Sequence, residues 1–176
     1  WDFTLRGDRK QARDLIDQRQ PMWLIGSPPC TAFSIWNTAM NYPKMDPDRV
    51  KAYITEGRQH LNFVTSLYRK QLLAGRHFLH EHPATALSWK EPDVMALAKH
   101  PLTHVVVADQ CMYGLLSPTP GGGELPAMKP TRFLTSSPQM AARLSTRCSK
   151  DHQHQQLVGG RAAAAAFYPL KLIKTS

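Results

Sequence analysis

Met22-Trp23-Leu24-Ile25-Gly26-Ser27-Pro28-Pro29-Cys30-Thr31-Ala32-Phe33-Ser34 opens as a short apolar run and closes as a loop stiffened by two adjacent prolines. The run 22–25 reads as a buried strand. Pro28 and Pro29 fix their own φ and push Ser27 and Pro28 toward extended geometry. Cys30 is therefore predicted just past the carboxyl end of a strand, in a loop of restricted shape that can aim a thiolate. In open α/β folds that edge is where ligands and reacting groups sit.

Working outward, helical spacing covers 9–20, with Ala12, Leu15 and Ile16 on one face and a stop before Pro21. Residues 37–47 lack a period and read as a mobile connector placed where a lid could close. The longest helical segment is 48–74, its stripe carrying Val50, Ile54, Leu61, Val64, Leu67 and Tyr68, with Gly57 read as a bend and Gly75 the stop. A strand is predicted over 76–80, a helix over 92–99, and the clearest strand over 104–108. This alternation argues for an α/β fold with a mostly parallel sheet flanked by helices. Residues 116–130 are broken by Pro118, Pro120, Gly121, Gly122, Gly123 and Pro126 into an irregular loop. A late strand over 131–135 and an alanine-rich helix over 161–173 complete an irregular C-terminal region.

The 176 residues, 42% hydrophobic, suit a single domain, 1–176. No apolar run is long enough for a membrane span and no leader pattern is seen. Three cysteines without framework spacing fit thiols in a reducing, intracellular compartment, the nucleus included. Against 13 Asp and Glu stand 22 Lys and Arg, a formal charge of +9, and the pI is about 9.7. Such a surplus attracts polyanions, with nucleic acid the natural partner.

Two further strings carry chemistry. The strand over 76–80 runs into Glu81-His82-Pro83, which sets a carboxylate at its carboxyl end. Cys148, His152 and His154 gather a thiol and two imidazoles, but a closed zinc site needs a fourth ligand and Cys-x-x-x-His-x-His is no standard spacing, so no metal is expected.

The string Gly26 to Ser34 resembles the nucleophile loop of the DNA (cytosine-5) methyltransferases, Gly-x-Pro-Pro-Cys-Gln-x-Phe-Ser, with Thr31 in place of the Gln. Glu81-His82-Pro83 is similar to the family's Glu-Asn-Val or Glu-Asn-Pro element, with His82 in place of Asn. Gln110-Cys111-Met112-Tyr113-Gly114 and Lys129-Pro130-Thr131-Arg132 resemble a variant found in smaller members, and Arg161 through Tyr168-Pro169 resembles that variant's terminal helix. The resemblance implies a partial Rossmann-like methyltransferase domain in which Cys30 attacks carbon 6 of a cytosine swung out of DNA. Glu81 would grip ring nitrogen 3 and the exocyclic amine, and carbon 5 would take a methyl group from S-adenosylmethionine. Ser27, Pro28, Pro29 and Ser34 would support the loop. Gln110, Lys129 and Arg132 would bind substrate, Arg132 on charge alone because position 112 is Met where the family uses an arginine.

The family's Phe-x-Gly-x-Gly cofactor loop and the acidic residue that follows it have no counterpart. A fragment of a longer enzyme, a chain completed by a second polypeptide or upstream segment, and a relic without turnover all fit. The alternative function is a catalytically inactive, methyltransferase-like module that binds nucleic acid.

Overall fold

The structure is a computed structural model that describes residues 1–158, 160–161, 165 and 167–175. Helix α1 (Arg6–Arg19) buries Ala12 and Ile16 and ends at Gln20, whose left-handed backbone lets its N–H reach the Ile16 carbonyl. Strand β1 (Trp23–Gly26) follows. Helix α2 (Pro47–Leu73) starts where the Asp46 carboxylate accepts the Arg49 N–H and Pro47 supplies a preset φ. Then come β2 (His77–Pro83), α3 (Pro92–Ala98) and β3 (His104–Asp109). A two-stranded ribbon of β4 (Leu116–Pro118) and β5 (Glu124–Pro126) precedes β6 (Pro130–Thr135), α4 (Pro138–Arg143) and α5 (Leu170–Thr175).

The four-stranded sheet has the order β1-β2-β6-β3. The expectation of a mostly parallel sheet is corrected: the sheet is mixed, since β1 and β2 pair parallel while β6 lies between β2 and β3 and runs antiparallel to both. Strands β1, β2 and β3 thus point the same way, and a late strand inserted between two of them replaces their direct pairing. The carboxyl ends of β1, β2 and β3 share one edge of the sheet. That edge collects the Cys30 loop, Glu81 and Gln110.

Alternation along β2 sends Phe78, His80 and His82 to one face and Leu79 and Glu81 to the other. The first face packs with Tyr68, Val64, Trp89 and Leu97 under α2 and α3. Leu79 on the second packs with Phe133, Ala108, Tyr113, Met140 and Leu144. Each fully buried large side chain contributes about 1.5–3 kcal/mol. Both layers therefore clamp β2, one of the two inner strands of the sheet.

Several boundaries differ from the sequence expectation. Residues 37–47 are wound into a wide turn (Asn37–Asn41) and a tight one (Tyr42–Lys44). Part of the expected irregular loop pairs as the β4–β5 ribbon. Of the expected helix over 161–173, residues 162–164 and 166 lie outside the described residues. Among the described residues no strand covers the outer edge of β1, where Met22 and Ile25 are exposed, and no helix is long and apolar enough to cross a membrane.

Candidate active site

The diproline turn is pinned from β2. Pro28 is buried, and its carbonyl accepts the His82 Nε2–H at 2.8 Å. His82 Nδ1 then accepts from the Ser88 hydroxyl at 2.6 Å, which fixes the tautomer. Burial pulls the His82 imidazole down from its ordinary range, against the opposing influence of the Pro28 hydrogen bond and the Glu81 charge, so the neutral ring is the working form.

Cys30 follows at φ −96° and ψ −6°, half-buried, and caps a single turn over Thr31–Phe33. That turn is nailed to α2 by Ala32 and Phe33, which face Gly57; a Cβ built at Gly57 would stand 2.7 Å from that of Ala32. Gly57, read as a bend, is a close-approach point between helix and loop. The following turns are tied back to the same loop: Tyr42 Oη donates to the Ala32 carbonyl at 2.9 Å and Asn37 Nδ2 to that of Thr31 at 2.8 Å. Ser34 supports the loop through its carbonyl, which accepts the Thr38 N–H and hydroxyl, each at 3.0 Å.

Glu81 is 7% exposed and sits inside β2, which runs beyond its predicted end. The Ser27 hydroxyl donates to its Oε2 at 2.6 Å, so a residue expected only to shape the loop touches the carboxylate directly. Burial pushes the Cys30 thiol up and the negative charge of Glu81 pushes it further, while Lys129 acts in the opposite sense. Lys129 is itself pulled down by burial and held up by Glu81 and Cys30. Its ammonium donates to the Ala165 carbonyl at 2.8 Å and lies 5.3 Å from the centre of the Tyr168 ring. A thiol, a carboxylate and an ammonium thus share one electrostatic environment at the carboxyl edge of β1 and β2.

Tyr168 is the group missed in sequence. Its phenol is raised well above the ordinary range, first by burial and then by the charge of Glu81, and its ring lies against the Lys129 ammonium. Nothing local in Phe167-Tyr168-Pro169 marks that contact, which the returning C-terminal segment creates. Gln110 is wholly buried; its amide donates to Thr131 Oγ1 at 2.8 Å, which makes it a brace between the exit of β3 and β6. Arg132 pairs in register with His82, on the face opposite Glu81, and its guanidinium lies 5.1 Å from the centre of the Trp89 ring. The structure does not bring it to the carboxylate. Pro29 is exposed at the mouth of the loop.

Comparison of the chain with protein-family models, with curated proteins and with solved structures returns no match. What the arrangement can do rests on its own chemistry. A half-buried thiol beside a buried carboxylate can add to an electron-poor ring carbon while the carboxyl group grips the ring's polar edge. Between α1, α2 and β1 lies an open pocket of about 410 Å³, lined by Trp1, Phe3, Leu24 and residues 26–29 among others. None of its lining residues carries a carboxylate, so among the described residues it offers an apolar wall but no acid for ribose hydroxyls, and S-adenosylmethionine does not fit it unaided.

Proposed function

We propose that the chain is the catalytic portion of a cytosine-5 methyltransferase acting on DNA. The observation that carries this reading is that the Cys30 loop and Glu81 share the carboxyl edge of parallel β1 and β2, with Ser27 of that loop bonded to the Glu81 carboxylate and its diproline turn held by His82. The Cys30 thiolate donates an electron pair to carbon 6 of an everted cytosine, forming a C–S bond. The former double-bond pair shifts toward carbon 5 and ring nitrogen 3, where a proton shared with Glu81 stabilises it. After carbon 5 has been substituted, loss of its proton re-forms the double bond and expels the thiolate.

The methyl donor implied by the resemblance would supply an electrophilic carbon. Its missing acidic contacts would come from a second chain or another segment laid along the open edge of β1. The charge of +9 favours the polyanionic substrate. So do Ile35 and Trp36, exposed just past the nucleophile loop, where apolar side chains can wedge beside a displaced base.

The test is incubation with S-adenosylmethionine and duplex DNA carrying 5-fluorocytosine, whose fluorine blocks the final elimination. A covalent complex that vanishes in Cys30→Ala is expected; its absence in the wild-type protein, completed by any segment needed for donor binding, rejects the reaction. A second reading, a nucleic-acid-binding module without turnover, is favoured by the raised thiol pKa. It gives salt-sensitive DNA binding without the adduct.

A further inference from the structure

Outside this site, four metal-ligating side chains from two distant parts of the chain converge. Cys111, in the turn that leaves β3, meets Cys148, His152 and His154, and one donor atom from each lies within 4.8 Å of all the others. Cys148 Sγ stands 3.6 Å from His152 Nε2 and 3.4 Å from His154 Nε2. A tetrahedral zinc ion, with Zn–S near 2.3 Å and Zn–N near 2.05 Å, holds sulfur and nitrogen about 3.6 Å apart. The Cys148 sulfur and the two imidazole nitrogens therefore stand at the spacing of such an ion's ligands, and the Cys111 sulfur lies within 4.8 Å of all three.

We propose that Cys111, Cys148, His152 and His154 form a structural zinc site. Two thiolates and two imidazoles are the donor set that zinc selects, and four protein ligands close the coordination sphere. The supporting shell is in place. Asp151 Oδ1 lies 2.8 Å from His152 Nδ1, the carboxylate contact that leaves Nε2 free to ligate. Lys150, with φ at 63°, turns its N–H onto Cys148 Sγ at 3.3 Å, and the Cys148 N–H donates to the buried Asp109 carboxylate at 2.8 Å. Binding releases the two thiol protons and leaves a neutral cluster.

The ion's role follows from what it joins. The stretch 145–158 contains no helix or strand, and the chain beyond it returns Ala165 and Tyr168 to Lys129. Zinc would clip this stretch to the sheet edge and so hold the cover of the candidate active site.

Metal analysis of the folded chain, purified without chelator, is expected to find ~1 zinc per chain. Exchange for cobalt(II) is expected to give the intense red-region bands and sulfur-to-metal charge transfer of a tetrahedral thiolate site. Cys148→Ser with His154→Ala loses the metal, whereas Cys30→Ser retains it. If the double variant fails to fold, the cobalt spectrum of the wild-type chain decides. Folded wild-type protein that binds zinc far below stoichiometry, gives only weak octahedral cobalt bands, or holds Cys111 and Cys148 as a disulfide overturns the proposal.

Discussion

The imidazole of His82 and the backbone carbonyl of Pro28 are joined by a 2.8 Å hydrogen bond that ties β2 to the turn before the candidate nucleophile. Removing the ring leaves two buried partners, the Pro28 carbonyl and the Ser88 hydroxyl, unsatisfied. His82→Ala is expected to cost about 2–4 kcal/mol from lost hydrogen bonds and the space left behind. His82→Asn, which keeps a donor, is expected to cost less. Urea unfolding measures both.

Stability should also fall in acid through two buried histidines. Burial, first, and its neighbour His82, second, lower the His80 imidazole well below its ordinary value, and burial lowers His82. A histidine with a depressed folded pKa binds its proton more readily once unfolded, so stability is complete above the unfolded value of about 6.5 and declines as pH drops below it toward the folded values. Urea midpoints between pH 8 and 5 are expected to decline below that value, with a shallower decline in His80→Gln. A midpoint flat across this range contradicts the neutral, buried pair.

The reactivity of Cys30 should report its two charged neighbours in opposite senses. Glu81→Gln removes a negative charge that raises the thiol, so alkylation of Cys30 at pH 8 should quicken by roughly threefold. Lys129→Met removes the opposing cation and should slow it by a similar factor. Peptide mass spectrometry of the alkylated residue follows both variants. Equal rates in all three proteins place the charges too far from the sulfur to matter.

Two glycines set the spacing beneath the loop. A Cβ at Gly26 would overlap the Tyr68 hydroxyl and stand 3.2 Å from Val64 Cγ1, and Tyr68 is fully buried. Gly26→Ala is expected to cost about 2–3 kcal/mol by overpacking, with partial recovery when combined with Tyr68→Phe. Gly57→Ala should destabilise through its contact with Ala32 and also displace the turn over Thr31–Phe33. Denaturation curves give the cost, and Cys30 alkylation gives the displacement.

The stretch around Cys30 was legible because its determinants are local: a short apolar run, two prolines with fixed φ, and a small residue at the strand end. Helix α2 and strand β3 were legible for the same reason, through periodicity and β-branched composition. The position of β6 was not, because strand order depends on which edges meet in space. His82 looked in sequence like a flaw in a motif, yet it holds the turn through a ring nitrogen. Tyr168 and the pairing of Cys111 with Cys148 were hidden because chain return creates them, and no local spacing encodes a contact across the sheet edge.

In the proposed reaction the Cys30 sulfur and the Glu81 carboxylate act on one pyrimidine ring, and the addition step can be isolated from methyl transfer. DNA carrying a pyrimidin-2-one, whose carbon 6 is more electrophilic than that of cytosine, is incubated with the chain in the absence of a methyl donor, and the product is digested and mapped by mass spectrometry. The expected result is a base adduct on Cys30 that forms at least tenfold more slowly in Glu81→Gln, the variant whose thiol alkylates faster. No adduct in the folded wild-type chain, or one that forms equally well in Glu81→Gln, contradicts the account.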